Sequence, residues 1–355
     1  YGHANKWVAQ AYMGRVFLYY TGYMTNQEGQ ATSELPLAEG GSLSASQVSA
    51  YLEDCINNSG YDMAEDFRNL WPYSYVNTSA GSVVLPWAEN EGLAWVGQDG
   101  HSPTFGTGNY ETMFAVRYAF GNWSWGQYYN NRVPLFFGLR DNSLVPFGQG
   151  WGWGTVNPNI WNTWDTLDTR RKGSVLELGV AEMGTENYEG DKGDHETGFF
   201  NKKYTTIQHG GDDGVAGMFY YMYGQTNNDM QLWAAQDFIL MRFADVLLMH
   251  SEITQTPGGM DEVRERAGLL PLGTYSLEAL KKERLYEFAF EGLRWFDLVR
   301  WGDCEEAFNY TLDVRNSGSD ATYSVNYRPI TKGLVPIPET EVRLSNGVYQ
   351  QNPGW

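Results

Sequence analysis

Two pairs of alternating tryptophans carry the spacing in this chain that best suits ligand binding. The first pair lies in "GNWSWGQYYNN" (121–131) and the second in "FGQGWGWGTVNPN" (147–159). In an extended segment, side chains two residues apart point to the same side. Each pair would then form an indole platform on which the apolar face of a sugar can stack. With the tyrosines that follow the first pair, the predicted ligand-binding set is Trp123, Trp125, Tyr128, Tyr129, Trp151 and Trp153.

A second constellation with chemical potential is the charged and aromatic segment "ERLYEFAFEGLRWFDLVRWG" (283–302). Glu287 and Glu291 are one helical turn apart, a spacing that two glycosidase carboxylates could use. Arginines within a turn of Glu291 would keep it ionised and unable to act as an acid. The pairs Glu291–Arg294 and Asp297–Arg300 instead predict a buried ion-pair seam between helices.

Other catalytic and metal chemistry has little support in the sequence. The five histidines are scattered without an HExxH pattern, and no Walker loop or GxSxG elbow is present. Cys55 and Cys304 have no zinc spacing, and we expect two free, buried thiols. One acidic loop offers oxygen ligands for calcium, but its spacing does not match an EF-hand, and we expect a solvated loop and no cofactor. Its acidic residues are Glu189, Asp191, Asp194 and Glu196.

Composition excludes some classes of binding partner. The 355-residue chain has a formal charge of −19, which argues against a nucleic-acid partner, because phosphate contact needs a basic face. Its 14 Trp, 24 Tyr and 17 Phe suit either a ligand surface or a large core. No apolar run is long enough to cross a membrane.

The elements that must position these residues divide the chain into three parts of one domain: 1–70, 71–233 and 234–355. Periodicity and capping signals predict helices at 3–20, 44–58, 234–254 and 277–301, the first without a recognisable cap. "ETMFAVRYAF" (111–120) suits a strand within a middle region of short strands and long loops. After residue 333 we expect loop and turn. The fold class is therefore mainly α with a loop-rich region.

Several segments, in order, resemble the hallmark segments of the SusD/RagB-like family. They are "GHANKWVAQAYMGRVFLY" (2–19), "WNTWDTLDTRRKGSV" (161–175), "ADVLLMHSEI" (244–253), "VRERAGL" (263–269), the segment 283–302, and "PIPETEVRLSNGVYQQNPGW" (336–355). The resemblance covers essentially the whole chain. Family members are usually longer, and we expect this sequence to lack an N-terminal portion.

The resemblance implies a helical body with tetratricopeptide-like helix pairs and no catalytic activity. Such proteins are lipid-anchored on the outer face of the outer membrane, where they bind glycans, or peptides in some branches. They act as a lid on a SusC-like, TonB-dependent transporter. We therefore expect a cell-surface glycan-binding protein. The alternatives are a peptide-binding lid, a glycoside hydrolase with two opposed carboxylates in a Trp-rich cleft, and a structural helical adaptor that buries all four tryptophans.

Overall fold

A computed structural model describes residues 3–77, 85–98, 109–120, 129–140, 146–147, 150–188, 195–211, 214–219, 231–232 and 234–355. Helices dominate this part of the chain. The longer helices are α1 (Lys6–Asn26), α2 (Ala45–Asn58), α7 (Phe243–Thr254), α8 (Gly258–Arg266), α9 (Leu277–Glu287) and α10 (Arg294–Trp301). Shorter ones are α3 (Pro86–Asn90), α4 (Val133–Phe137), α5 (Pro158–Thr163), α6 (Thr169–Ser174), α11 (Cys304–Ala307) and α12 (Glu339–Leu344).

The strands are short and form two-stranded antiparallel sheets. They are β1 (Glu34–Pro36) with β2 (Ser42–Ser44), β3 (Thr112–Val116) with β8 (Phe238–Arg242), β4 (Val175–Glu177) with β5 (Phe199–Asn201), β6 (Gln208–Gly211) with β7 (Gly214–Gly217), and β9 (Asn309–Asn316) with β10 (Ser319–Asn326). The strand predicted in "ETMFAVRYAF" is confirmed as β3.

Side-chain caps mark the first turns of helices α1 and α2. The sequence predicts Ser44 or Ser46 as the N-cap of α2; the structure places Ser44 there, in a reciprocal capping box with Gln47. No cap was predicted for α1, but the structure shows one: Asn5 accepts a hydrogen bond from the Val8 N–H at 3.0 Å. Helix α1 packs against α2, α7 and α10. At the last contact the helices nearly touch, since a Cβ on Gly22 would lie 2.5 Å from the Arg300 carbonyl oxygen.

The predicted helix at 234–254 was wrong in its first half. Residues 238–242 form strand β8, which pairs with β3 from Val116↔Phe238 to Thr112↔Arg242, and the helix begins only at Phe243. The apolar run "FILM" fits a strand as well as a buried helix turn, so periodicity alone does not distinguish them. Pairing with β3 decides the conformation.

The single helix predicted at 277–301 was also wrong. Phe290 and Gly292 adopt left-handed backbone angles, with φ of 67° and 80°, and they separate α9 from α10. Because of this break, the apolar residues of the two helices do not form one continuous buried face. Phe288 and Val299 are buried, while Phe296 is 53% exposed. The tail after residue 333 contains one short helix, α12, within the expected loop and turn.

Two large cores support the fold. One joins apolar side chains of α1, α2, α7 and α8, and the other gathers buried aromatic rings such as Trp71, Tyr73 and Trp87 from the middle of the sequence. The three-part division stays a prediction, and the β3–β8 pairing crosses its second boundary. Cys55 and Cys304 are free and buried, as expected. Across the described ranges, no helix has both the length and the apolar character of a membrane span.

Candidate functional site

The second tryptophan pair lies on a segment that runs along the short helix α4. The Trp151 N–H donates to the Leu135 carbonyl at 2.7 Å, and the Trp153 N–H donates to the Phe136 carbonyl at 2.9 Å. Between them, the Gly152 N–H donates to the Gly138 carbonyl at 2.8 Å. The segment is therefore held by backbone hydrogen bonds, so its side chains are free to project from it.

The glycines of "GWGWG" explain this close approach. A Cβ on Gly154 would lie 2.0 Å from the Phe137 carbonyl oxygen, and one on Gly150 would lie 2.3 Å from the Gly138 carbonyl. Gly152 has a φ of 82°, a left-handed conformation that disfavours other residues. Side chains at these positions would push the segment off α4.

Both indoles contact one ring of α4. Phe136 stacks on Trp153, with centroids 5.3 Å apart and planes 23° apart, and it meets Trp151 at 5.0 Å and 45°. The two indoles lie edge to face, at 5.7 Å and 68°. We call Phe136, Trp151 and Trp153 the aromatic platform. The prediction placed the indoles side by side on an extended segment, whereas the turn at Gly152 sets them nearly perpendicular.

The platform presents apolar area to solvent. Trp153 is 61% exposed and the neighbouring Phe137 is 40% exposed, while Trp151 is half-buried. Phe136 covers one face of the Trp153 indole. An exposed indole backed by a second ring can take the C–H face of a sugar without rearrangement, because its orientation is already fixed.

A polar residue lies at the edge of the platform. Arg140 is exposed, and a Cβ on Gly152 would lie 3.1 Å from the Arg140 Cβ. Its guanidinium carries donors suited to hydroxyl groups. Phe136, Phe137 and Arg140 were not in the predicted ligand-binding set. The signal lay in "VPLFFGLR", where a five-residue helix carries two consecutive phenylalanines that cannot both face one core.

The structure brings together two of the six predicted residues. Trp151 and Trp153 form the platform, whereas Tyr129 is 55% exposed on another segment, where its carbonyl accepts from the Ala119 N–H at 3.0 Å. Trp123, Trp125 and Tyr128 lie outside the described residues. The adaptor hypothesis requires that all four tryptophans be buried, and the exposure of Trp153 contradicts it.

Glu287 and Glu291 belong to a buried ion-pair cluster, and Glu291 also borders a groove between α1 and α10. Glu287 is fully buried and contacts Arg242 at 2.8 Å, Arg170 at 3.1 Å, and Arg266. Glu291 contacts Arg242 at 2.8 Å and Lys203 at 2.7 Å. The predicted seam is therefore present, but Glu291 is held by Arg242 and Lys203 and not by the predicted Arg294. The Asp297–Arg300 pair forms as predicted, at 2.9 Å.

The cluster holds the Glu287 carboxylate ionised. Burial alone would raise the pKa of Glu287, but Arg266, Arg242 and Arg170 outweigh it and hold that pKa below its ordinary value. Burial lowers the pKa of the Lys203 ammonium to about 8, against the opposing pull of Glu291. A carboxylate that is inaccessible and ionised cannot protonate a glycosidic oxygen.

Metal chemistry gains no support from the described residues. In those ranges, no three His, Cys, Asp or Glu side chains converge to hold an ion. Most of the acidic loop considered for calcium, 189–194, lies outside them. Glu196, at its end, is buried and accepts from the Tyr188 hydroxyl at 2.6 Å.

Comparison with known proteins identifies the class. Residues 141–355 match the model of the SusD family, and the chain belongs to that family. The predicted SusD-like, mainly helical fold is confirmed. A SusD-like protein P2 from Formosa agariphila is 25% identical over 271 residues, which cover 69% of this chain and 48% of the relative.

Solved structures share the fold over nearly the whole chain. Surface glycan-binding protein A from Bacteroides thetaiotaomicron, also solved in complex with laminarihexaose, has a TM-score of 0.66 and 18% identity. A laminarin-binding SusD-like protein has a TM-score of 0.64 and 22% identity. This chain is covered to 99% and 100% in these comparisons, and the solved chains to 64% and 63%. The chain thus spans about half to two thirds of the length of these relatives.

Proposed function

We propose that this chain forms the ligand-binding body of a non-catalytic, cell-surface glycan-binding protein that delivers its ligand to a SusC-like, TonB-dependent transporter in the outer membrane. The observation that carries the proposal is the exposed indole of Trp153, held by Phe136 and Trp151. Membership in the SusD family and the likeness to surface glycan-binding proteins support it. Anchorage through an N-terminal lipid is part of the same proposal.

Recognition would combine stacking with hydrogen bonding. The free face of Trp153 would take the apolar face of a sugar ring, and Arg140 at the platform edge would donate to hydroxyls. Tyr129 and the predicted residues at 123, 125 and 128 remain proposed contributors. Ligand binding needs no metal in this account, so chelation with EDTA should leave the affinity unchanged.

The absence of catalysis is also proposed from the site. The carboxylates of the charged segment that suited glycosidase spacing are buried among arginines and cannot reach a ligand at the platform. A hydrolase would need two opposed carboxylates beside the platform. Incubation of the pure protein with each bound glycan should release no new reducing ends, and any turnover would contradict this part of the proposal.

The proposal is tested by binding of the purified chain to a glycan array, followed by calorimetry with the glycans retained. Laminarin is the first ligand to titrate, because two of the solved relatives bind laminarin or its hexasaccharide. We expect saturable binding to a neutral glycan. An array without any retained glycan, repeated with the transporter present, would contradict the proposal.

A peptide ligand is the second candidate, and one observation favours it. An apolar groove of about 650 Å³ lies between α1 and α10. Its walls carry Tyr12, Val16, Tyr19, Tyr20, Leu293 and Phe296. Such a groove could hold apolar peptide side chains. The paired indoles of the platform favour the glycan, and a peptide library screened beside the glycan array separates the two.

A further inference from the structure

A second groove lies beside the β9–β10 hairpin. The backbones of Glu196 and Arg315 exchange two hydrogen bonds, with N–O distances of 2.9 and 3.0 Å, and so attach the hairpin to the segment before β5. The open groove next to this junction has a volume of about 770 Å³, within the range of small-ligand sites.

The lining of this hairpin groove mixes apolar and polar groups. Leu178, Val314 and Ala321 give it an apolar part. Its polar part comes from Tyr188, Glu196, Thr197, Asp313, Arg315, Asp320 and Thr322. Alternating apolar area and hydroxyl, carboxylate and guanidinium groups is the surface that a sugar matches, because each ring carries C–H faces and a rim of hydroxyls.

The space beside two glycines of the groove is open. A Cβ built on Gly179 or Gly198 would meet no atom within 4 Å. Glu196 beside them is buried, and its carboxylate accepts from the Tyr188 hydroxyl at 2.6 Å, so these two lining groups hold each other in place. The groove thus combines open space with a partly ordered wall, which lowers the cost of binding.

Charge selects the ligand class. The lining contains three carboxylates, from Glu196, Asp313 and Asp320, and one guanidinium, from Arg315. The whole chain is also strongly acidic, with a formal charge of −19. An anionic ligand would be repelled. Among the described residues, the acidic groups do not converge into a metal site. A neutral, hydroxyl-rich ligand fits.

A continuous ribbon of chain connects this groove to the aromatic platform. The Asn201 N–H donates to the Gly154 carbonyl at 2.9 Å, one residue after Trp153, and the same strand runs back to Gly198 at the groove. At about 3.3 Å per residue, the two sites are on the order of 10–20 Å apart along the ribbon. A polysaccharide chain of a few sugar units is long enough to span this distance.

We propose that the hairpin groove is a second carbohydrate subsite, which takes a neutral glycan segment while the same chain occupies the aromatic platform. The proposal rests on the proposed glycan-binding function. Two linked subsites gain avidity for long ligands, because the second contact is intramolecular. Short fragments that occupy only the platform gain nothing from the groove.

The test fills the groove with a bulky side chain. Ala321→Trp places an indole on an exposed strand that tolerates aromatic residues, and Thr322→Trp is a second variant at the same groove. The control is Asn326→Trp, an exposed residue at the far end of β10 that does not line the groove. Circular dichroism checks the fold of each variant. Probes are a panel of neutral polysaccharides beginning with laminarin, and the trisaccharide of each retained polymer.

We expect either groove variant to weaken polysaccharide binding roughly tenfold, with the trisaccharide affinity and the control unchanged. Wild-type polysaccharide affinity in folded groove variants would overturn the second subsite while leaving the platform intact. Equal losses for trisaccharide and polymer would overturn it as well, since the effect would not be specific to long ligands. Failure of the wild-type protein to retain any neutral polysaccharide would overturn both this proposal and the proposed function.

Discussion

The ion-pair cluster buries its charged side chains, whereas the aromatic platform exposes an indole to solvent. In the cluster, the guanidinium of Arg242 is fully buried and contacts Glu111, Glu287 and Glu291. In the platform, Trp153 is mostly exposed, and its ring contacts Phe136 and Trp151. Buried charge that is fully partnered fixes the arrangement of distant segments. Exposed aromatic area that is held rigid is available to a ligand.

The cluster joins parts of the chain that are far apart in sequence. Arg170 on α6, Lys203 after β5 and Arg242 on β8 converge on α9 and the turn after it. Glu111, before β3, joins the cluster through Arg242 and Arg266. The loop-rich region that carries the platform is thereby tied to the helical body. The comparison predicts that cluster variants lose stability and platform variants lose binding.

The largest expected effect is on the cluster. Arg242→Met should lower the free energy of unfolding by about 3–5 kcal/mol, because it leaves buried carboxylates without their shared partner. Denaturant unfolding followed by circular dichroism measures the change. The matched control is Arg343→Met, at an exposed arginine of α12, with an expected change within about 0.5 kcal/mol. Similar losses in both variants would contradict the special role of the cluster.

Acid should unfold the protein through the same buried pairs. Burial alone would raise the pKa of Asp245, but Arg284 at 2.7 Å and Arg15 at 2.5 Å hold it below its ordinary value. A carboxylate with a lowered folded-state pKa stabilises the fold above its unfolded pKa, and this contribution is lost as the pH falls through the folded value. We expect the free energy of unfolding to decrease as the pH drops below about 4.

Asp245→Asn should flatten that pH dependence, because the amide does not titrate. The control is Asp313→Asn, at an exposed aspartate of β9, which should keep the wild-type slope. Unfolding curves at half-unit steps between pH 3 and 6 provide the slopes. An unchanged slope in Asp245→Asn would show that other groups control acid unfolding.

The ring behind the indole should matter for binding, though less than the indole itself. Phe136→Ala removes the stacked support of Trp153, and we expect a loss of glycan affinity of about threefold to tenfold, equivalent to roughly 0.5–1.5 kcal/mol. Phe136→Tyr keeps the stacking ring and should restore most of the affinity. Calorimetry compares the three proteins, and equal affinity for Phe136→Ala and wild type would remove Phe136 from the platform.

The smallest effect sharpens the site boundary. Tyr129 is exposed but lies on another segment, so Tyr129→Ala should weaken binding of a short oligosaccharide by less than a factor of about three, the scale of a single peripheral contact. Calorimetry with the trisaccharide measures this effect. A loss as large as that of a platform variant would show that the tyrosine segment belongs to the same subsite.

Local chemistry made some elements predictable. Ser44, one of two predicted N-cap candidates, marks the start of α2, and the spacing of Val8 and Ala11 indicates the buried face of α1. Gly292 is a residue type that commonly ends helices, but a left-handed phenylalanine is rare, and the break at Phe290 was not predicted. The hairpin of β9 and β10 was missed altogether.

Long-range partners limit prediction of the site more severely. Glu291 pairs with Lys203 and Arg242, which are 88 and 49 residues away, and local spacing suggested Arg294 instead. The tryptophan spacing identified Trp151 and Trp153 as a pair. Phe136, which orients them, comes from another element, and only the backbone pairing with α4 reveals it.

The most direct test of the account measures glycan affinity for Trp153→Ala beside Trp355→Ala. Trp355 is 52% exposed and belongs to the C-terminal tail, so it matches Trp153 in residue type and exposure but not in position. The account predicts that Trp153→Ala lowers affinity about tenfold or more, a change of about 1.4 kcal/mol, with an unfolding free energy within about 0.5 kcal/mol of wild type. Trp355→Ala should bind as wild type does. Equal affinity of Trp153→Ala and wild type for the retained glycan would contradict the platform as the binding site.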